Sequence, residues 1–242
     1  QLLAQGGCTY PACIEASPHL LVLQSGQPSQ AASLQRTMAR LQAFLTNRTQ
    51  VLNNARMVED LVDSGALQTE RCISAFMAID RHHFFWAGHA ASQTDGFGDH
   101  VYHDTPLRNG RLHQSAPHIY ARALEALLPL DSGMSFLNIG SGTGYFSSIV
   151  SELIGNDAVN DGLDIWQECI DHAKDRCRAA GKTGIEFTTG NVYHLDVDSG
   201  TRYDRIYVGA CANSRSKYLY NLLEVGGILV GPFQAGPGQQ LR

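Results

Sequence analysis

Three glycines at alternate positions, Gly140, Gly142 and Gly144, directly follow a short apolar run over 134–139. An apolar segment with helical spacing, Tyr145–Ile154, comes next. This order predicts a buried parallel strand, a tight turn and the start of a helix. Glycines allow a backbone to approach a ligand closely, and the first turn of a helix offers free N–H donors. The stretch therefore predicts a site for a nucleotide-like ligand.

The spacing of these glycines distinguishes two classes of cofactor. A dinucleotide-binding turn has the pattern G-x-G-x-x-G/A, whose third glycine allows the helix to pack tightly on the strand. Here that third position is Tyr145, and the pattern is instead G-x-G-x-G. This is the loop of enzymes that use S-adenosylmethionine (SAM). The alternative is a glycine-rich turn that binds no ligand.

A carboxylate at the end of the next predicted strand supports the cofactor interpretation. Strand 158–164 ends at Asp164, 20 residues after Gly144. An acid at this position accepts hydrogen bonds from ribose hydroxyls. Asp is also a good N-cap for the helix predicted over 165–180. The two roles are compatible, and the sequence alone leaves both open.

The segments that would position these residues alternate between strand and helix patterns. Such alternation predicts an α/β fold with a doubly wound, mostly parallel sheet, whose ligands bind at the carboxyl ends of the strands. Thr69 is a candidate N-cap for the third helix of the chain. Helices are predicted over 31–45, 55–64, 70–79, 119–128, 145–154, 165–180 and up to 225, and strands over 134–139, 158–164, 185–191, 203–210 and 228–231.

Length and charge limit the possible functions. The chain has 242 residues and a net charge of -5, without a run of Lys or Arg. One large domain with an appendage is expected, and binding to a phosphate backbone is not. No apolar run reaches the ~18–20 residues that span a membrane. We expect a cytoplasmic protein. Cys8, Cys13 and the glycosylation sequon at Asn47 leave a secretory compartment open.

Seven of the ten histidines lie in a predicted long loop over 81–118. The pairs His82-His83 and His100-x-x-His103 are candidate metal ligands. No carboxylate or cysteine completes a ligand pattern, so we expect no metal site. Most of the six cysteines are expected to be small apolar residues.

Several motifs together resemble the protein-L-isoaspartate O-methyltransferase family. The resemblance runs from about Met57 to Gln234 and is specific only when its motifs are combined. The family often has a histidine where this chain has Tyr120. The chain is most similar to the eukaryotic isoaspartate methyltransferase domain-containing subfamily, which shares Asn138 and Asn191. The motifs span 74–81, 114–118, 138–145, 203–209 and 223–230.

The resemblance implies a Rossmann-like class I SAM-dependent methyltransferase with an N-terminal helical extension. It implies methyl transfer from SAM to the side-chain carboxylate of L-isoaspartyl residues in damaged proteins, a repair reaction. Ser115, with nearby backbone N–H groups, would hold the substrate carboxylate, although the alternative is a helix N-cap. His118 matches a family position, either for packing or for contact. The implied cofactor residues are Asn138, Gly140, Ser141, Gly142, Thr143, Gly144, Asp164, Ile165, Asn191 and Val192.

Two alternatives to this function remain. One is a weak or inactive SAM-binding module that recognises modified proteins within an assembly. The other is a methyltransferase for a different carboxylate. We expect an extension over 1–54, with a helix over 31–52 that could bind a partner, and a methyltransferase domain over 55–242. The family's C-terminal hairpin is expected to be missing.

Overall fold

The computed structural model describes residues 49–85, 99–196, 200–210, 212–213, 217–234 and 239–241. The predictions for Cys8, Cys13, Asn47 and the helix over 31–45 lie outside these residues. No helix of the described part is long and apolar enough to cross a membrane.

Seven helices and ten strands make up the described part of the chain. The helices are α1 (Thr49–Asp63), α2 (Glu70–Ala78), α3 (Arg81–Phe85), α4 (Pro117–Ala126), α5 (Tyr145–Ile154), α6 (Gln167–Ala179) and α7 (Lys217–Tyr220). The strands are β1 (Leu107–Asn109), β2 (Leu112–Gln114), β3 (Phe136–Ile139), β4 (Asn160–Asp164), β5 (Ile185–Thr189), β6 (Tyr203–Val208), β7 (Ala212–Asn213), β8 (Leu223–Val230), β9 (Pro232–Gln234) and β10 (Gln239–Leu241).

Five parallel strands form the central sheet in the order β5-β4-β3-β6-β8. From β3 the chain winds outward in one direction through β4 and β5. It then returns to the other side of β3 through β6 and β8. The change of direction lies between β3 and β6, and ligands of such sheets bind at the carboxyl edge there. The predicted α/β, doubly wound architecture is confirmed.

Two hydrophobic clusters cover the two faces of this sheet. Phe136 belongs to the larger cluster, with Phe76 of α2, Leu124 of α4 and Ile149 of α5. The next residue, Leu137, belongs to the smaller cluster. Successive side chains of a strand point to opposite faces, so β3 is buried on both sides. Its carboxyl end, where the glycine turn begins, is therefore held by a rigid core.

The last strand of the sheet differs from its prediction. A helix was expected up to residue 225, but α7 ends at Tyr220 and β8 already begins at Leu223. Leu223 pairs with Tyr203, whereas Ile228 pairs with Arg205, so the intervening residues bulge out of the ladder. Gly226, with φ of +83°, permits this bulge. Gly226 and the following Gly227 therefore interrupt a strand and do not follow a helix.

Strands also occur where none was expected. The predicted loop over 81–118 contains α3, a 3₁₀ turn over Asp99–Tyr102, and the antiparallel hairpin β1–β2. After β8, β9 pairs antiparallel with β10 and parallel with β7. An antiparallel strand pair therefore follows the central sheet, and the expectation about the family's own C-terminal hairpin stays a prediction.

At the other end of the described chain, α1 crosses the predicted domain boundary at 54/55. The Asn54 side chain is buried and donates to the carbonyl of Phe76. Thr69 occupies the N-cap position of α2, as predicted, but its hydroxyl makes no capping bond and donates to Glu125 instead. The division into an extension and a methyltransferase domain stays a prediction.

Candidate functional site

The loop between β3 and α5 is shaped by its three glycines. Gly140, Gly142 and Gly144 have φ angles of +79°, +53° and +80°, a region that side chains disfavour. The amides of Gly140 and Ser141 both donate to the carbonyl of Leu163, at 2.7 and 3.0 Å. The loop is thereby attached to the carboxyl end of β4.

Two of these glycines also allow close packing. A Cβ atom on Gly142 would lie 2.8 Å from the carbonyl oxygen of His113, in the β1–β2 hairpin. A Cβ atom on Gly144 would lie 2.9 Å from Sγ of Cys177, in α6. Gly144 thus serves helix packing, whereas Gly142 brings the hairpin against the loop.

Asp164 ends β4 with its carboxylate turned toward the glycine loop. Oδ2 accepts a hydrogen bond from the amide of Gly142 and Oδ1 from the amide of Trp166, each at 3.1 Å. The N-cap position of α6 is Trp166, not Asp164. The helix-cap alternative was therefore wrong, and the carboxylate is joined to the glycine loop instead.

Apolar side chains stand exposed beyond the ends of β4 and β5. Ile165 is 58% exposed and Tyr193 is 42% exposed. Asn191 accepts a hydrogen bond from the amide of Tyr193 and begins the 3₁₀ turn Val192–His194, in which Val192 is buried. Ile165 and Tyr193 could pack on the faces of an aromatic ring. In the sequence, Tyr193 stands out only as an aromatic residue just after a strand, and it was not among the predicted site residues.

Buried polar atoms lie beneath the loop. Asn138 is 1% exposed, and its Nδ2 donates to Oγ of Ser147 at 3.0 Å. Its Oδ1 and the Oγ of buried Ser141 have no hydrogen-bond partner among the described residues. A buried acceptor without a partner costs about 1–3 kcal/mol. Both oxygens therefore suit a ligand that brings donors. Thr143 is also buried.

Ser115 lies between β2 and α4 and is half-buried. The N-cap position of α4 is Ala116, followed by Pro117, so the N-cap alternative for Ser115 was wrong. The Ser115 amide donates to the hydroxyl of Tyr120 at 3.0 Å. This amide is already engaged, which leaves the Ser115 hydroxyl as the group that could meet a substrate.

The hairpin that precedes Ser115 is attached to the start of α6. The guanidinium of Arg111 lies over the ring of Trp166, with Cζ 3.5 Å from the ring centroid. Its Nε is 3.5 Å from Oε1 of Glu168, and the Cys169 thiol donates to its carbonyl. Trp166 follows Asp164 by two residues, so this contact holds the β1–β2 hairpin near the carboxyl end of β4. The sequence carried no signal for it.

His118 is turned to an acid and not to the glycine loop. Its backbone amide and Nδ1 both lie 2.9 Å from Oδ1 of Asp104. Burial raises the pKa of Asp104, but the hydrogen bonds from His118 outweigh it, and the pKa lies below its ordinary value. His118 therefore joins the start of α4 to the segment before β1.

Two grooves lie away from the glycine loop. One, of about 360 Å³, runs between α1 and Pro117, and the other, of about 440 Å³, lies beside α3. Neither is lined by the loop or by Asp164. The features of the loop that could hold a cofactor are its hydrogen-bonding and exposed groups, and neither groove encloses them.

Metal and thiol chemistry find little support. In the described ranges, no three or more His, Cys, Asp or Glu side chains are grouped so that they could hold a metal ion. His100 and His103 lie near each other, with ring centroids 5.4 Å apart. Cys72, Cys169 and Cys177 are free and buried, and burial raises the pKa of the Cys177 thiol to about 11. These three are small apolar residues, as expected.

Comparison with known proteins places the chain in a family. The family model for protein-L-isoaspartate(D-aspartate) O-methyltransferase matches residues 52–242. The chain belongs to the protein-L-isoaspartate O-methyltransferase family. A member from Pyrobaculum islandicum is 30% identical over 190 residues, which are 77% of this chain and 86% of that protein. One from Methanococcus maripaludis is 28% identical over 180 residues, 74% of this chain and 80% of that protein.

A solved structure shares the fold of this family member. It is a protein-L-isoaspartate O-methyltransferase from Plasmodium falciparum in complex with S-adenosyl-L-homocysteine, with a TM-score of 0.65 and 21% identity. The match covers 81% of this chain and 88% of that one. The fold is that of class I SAM-dependent methyltransferases, as expected. The closer resemblance to the eukaryotic subfamily stays a prediction.

Proposed function

We propose that this protein transfers the methyl group of SAM to the side-chain carboxylate of L-isoaspartyl residues in damaged proteins. Family membership over 52–242 supports the reaction. One structural observation adds to this support. Gly142 connects the proposed cofactor side of the site with the proposed substrate side. Its amide donates to Asp164, and its α-carbon faces the carbonyl of His113, two residues before Ser115.

The residues at the carboxyl edge of the sheet fit SAM. Asn138 Oδ1 and Ser141 Oγ offer buried acceptors without a partner among the described residues, suited to an ammonium group. Asp164 would accept from ribose hydroxyls, while Ile165, Asn191 and Val192 would meet the adenine. When bound, SAM supplies an electrophilic methyl group on a cationic sulfur. Gly140, Gly142, Thr143 and Gly144 complete the proposed cofactor set.

The proposed substrate group requires no general base. A carboxylate is already ionised at neutral pH. The chain must therefore hold the carboxylate in line with the methyl group and keep water out. Positioning of this kind can contribute on the order of 7–11 kcal/mol. Ser115 is the proposed catalytic residue, through its hydroxyl, since its amide is bound to Tyr120.

The other interpretations carry less weight. A SAM-binding module without turnover would leave unexplained why the hairpin that leads to Ser115 packs on the glycine loop at His113. A partner for the predicted helix over 31–52 stays a proposal. So does the cytoplasmic compartment. We retain a protein or peptide bearing isoaspartate as the substrate class.

The test is methyl transfer to an isoaspartyl peptide and to the same peptide with ordinary aspartate. We expect labelling of the isoaspartyl peptide alone, and a large loss with Ser115→Ala while SAM affinity is retained. Equal labelling of both peptides would point to a different carboxylate substrate. SAM binding without labelling of either would support the binding module instead.

A further inference from the structure

The hydroxyl of Tyr120 is hydrogen-bonded to the backbone of Ser115. The Ser115 amide donates to it at 3.0 Å, which fixes the residue that carries the proposed catalytic hydroxyl. We propose that Tyr120 is a positioning residue that orients the Ser115 hydroxyl toward the substrate carboxylate. This inference rests on the proposed function and adds a residue to it.

The ring of Tyr120 is held in a fixed place. It stacks on Phe146, with centroids 5.2 Å apart and planes 18° apart, and meets Tyr145 edge-on at 5.7 Å. Tyr207 closes the cluster at 6.3 Å. Aromatic pairs of this kind restrict ring motion. The core of α4, α5 and β6 therefore determines where the hydroxyl lies, and through it the position of Ser115.

The hydroxyl of Tyr120 is protonated and acts as an acceptor toward Ser115. Burial raises the pKa of Tyr120 more than hydrogen bonding from Ser115 lowers it, so the phenol is neutral at pH 7. A neutral phenol has one proton to donate, and its oxygen already accepts from the Ser115 amide. The phenol oxygen is thus the acceptor that holds the Ser115 backbone, and the Ser115 hydroxyl is left to meet a carboxylate.

A purely structural role for the same bond is the competing explanation. The bond could simply hold the turn between β2 and α4. Tyr145 provides a matched control, because its hydroxyl is also buried in the same cluster but has no partner among the described residues. Removing it changes the cluster by the same atom without touching Ser115.

The experiment compares Tyr120→Phe and Tyr145→Phe in isoaspartyl-peptide methylation. We expect Tyr120→Phe to lower kcat/KM about tenfold, the kinetic equivalent of one hydrogen bond, without changing SAM affinity. Tyr145→Phe is expected to change neither. In a Ser115→Ala background, Tyr120→Phe should cost nothing further, because a residue that acts only through another shows full coupling in a double-mutant cycle.

Hydrogen exchange at the Ser115 amide tests the bond apart from turnover. It should accelerate in Tyr120→Phe and not in Tyr145→Phe. Unchanged exchange, equal kinetics of the two variants, or a full cost of Tyr120→Phe in the Ser115→Ala background would each overturn the role of Tyr120. Wild-type protein that labels neither peptide would overturn the proposed function and this role together. If Tyr120→Phe methylates the isoaspartyl peptide as fast as an active wild type, only the positioning role of Tyr120 is overturned.

Discussion

Oδ2 of Asp164 and the backbone amide of Gly142 are joined by a hydrogen bond of 3.1 Å. The bond connects the end of β4 to the turn after β3, so the proposed ribose acid and the proposed cofactor loop support each other. The second oxygen of the same carboxylate holds the amide of Trp166. Asp164 is consequently both a structural acceptor and the proposed ligand group, and a test of one role must control for the other.

Asp164→Ala is expected to weaken SAM binding by roughly 1.5–3 kcal/mol, about 10- to 150-fold, because hydrogen bonds to a charged group are lost. Calorimetric titration with SAM measures this change. Glu186→Ala removes an exposed acid of the adjacent strand β5 and controls for net charge. Equal affinities for the two variants would contradict the ribose assignment. Urea unfolding measures the stability that Asp164→Ala loses with its bonds to the amides of Gly142 and Trp166, separately from the loss of SAM affinity.

Gly142→Ala is expected to separate the hairpin from the cofactor loop. The new Cβ would lie 2.8 Å from the carbonyl of His113. Gly110→Ala is the matched control, since Gly110 has φ of +59° and a Cβ there would have no atom within 4 Å. Backbone strain should cost each variant about 1–2 kcal/mol. Only Gly142→Ala should also lose about tenfold in SAM affinity. Equal SAM affinity in Gly142→Ala and Gly110→Ala would show that the close contact with His113 does not support SAM binding.

Asn138→Asp tests the buried acceptor under the loop. The change places a charge at a fully buried position, which should cost on the order of 3 kcal/mol in the free energy of unfolding without SAM. Asn160→Asp is the control, because Asn160 is also buried and donates to Ser147. Since SAM is a cation, it should restore stability to Asn138→Asp and not to Asn160→Asp. Urea midpoints with and without SAM decide this, and identical shifts would argue against Asn138 as a cofactor residue.

Asp204 predicts a dependence of stability on pH. The backbone amide and hydroxyl of Ser135 donate to its carboxylate at 2.8 Å, and these bonds hold its pKa below the ordinary value of 3.8. A depressed pKa contributes stability that is present above the ordinary value and is lost as pH falls through the folded-state pKa. Wild type should therefore be more stable than Asp204→Asn at neutral pH, and the gap should close below about pH 4.

Urea unfolding at a series of pH values measures this gap. Asp157→Asn, at an exposed position, provides the comparison. A gap between wild type and Asp204→Asn that persists unchanged at low pH would show that the Ser135 bonds do not act through the ionised carboxylate.

Local patterns predicted the elements that carry the candidate site. The bounds predicted for α5 agree with Tyr145–Ile154 because its apolar residues repeat with a helical period. Gly140, Gly142 and Gly144 all have positive φ angles, which glycine adopts more readily than other residues. These features depend on neighbours within a few positions, so the chain itself carries them.

Thr69 and Gly226 show the limits of local patterns. Thr69 has the chemistry of a cap, yet its hydroxyl donates to Glu125, 56 residues away in α4. Gly226 has the chemistry of a helix terminator, yet it lies inside β8 because pairing with β6 extends on both sides of a bulge. In both cases a distant partner outweighed a weak local preference.

The amino-acid order alone determined a strand, a glycine turn and a helix, followed by an acid at the next strand's end. Three contacts were decided only by the tertiary structure. The guanidinium of Arg111 stacks on the ring of Trp166, and the carbonyl of His113 lies against Gly142. The hydroxyl of Tyr120 accepts a hydrogen bond from the Ser115 amide. The reason is physical. Periodicity and backbone preference act between near neighbours, whereas these contacts join segments that meet only after the sheet and its core have packed.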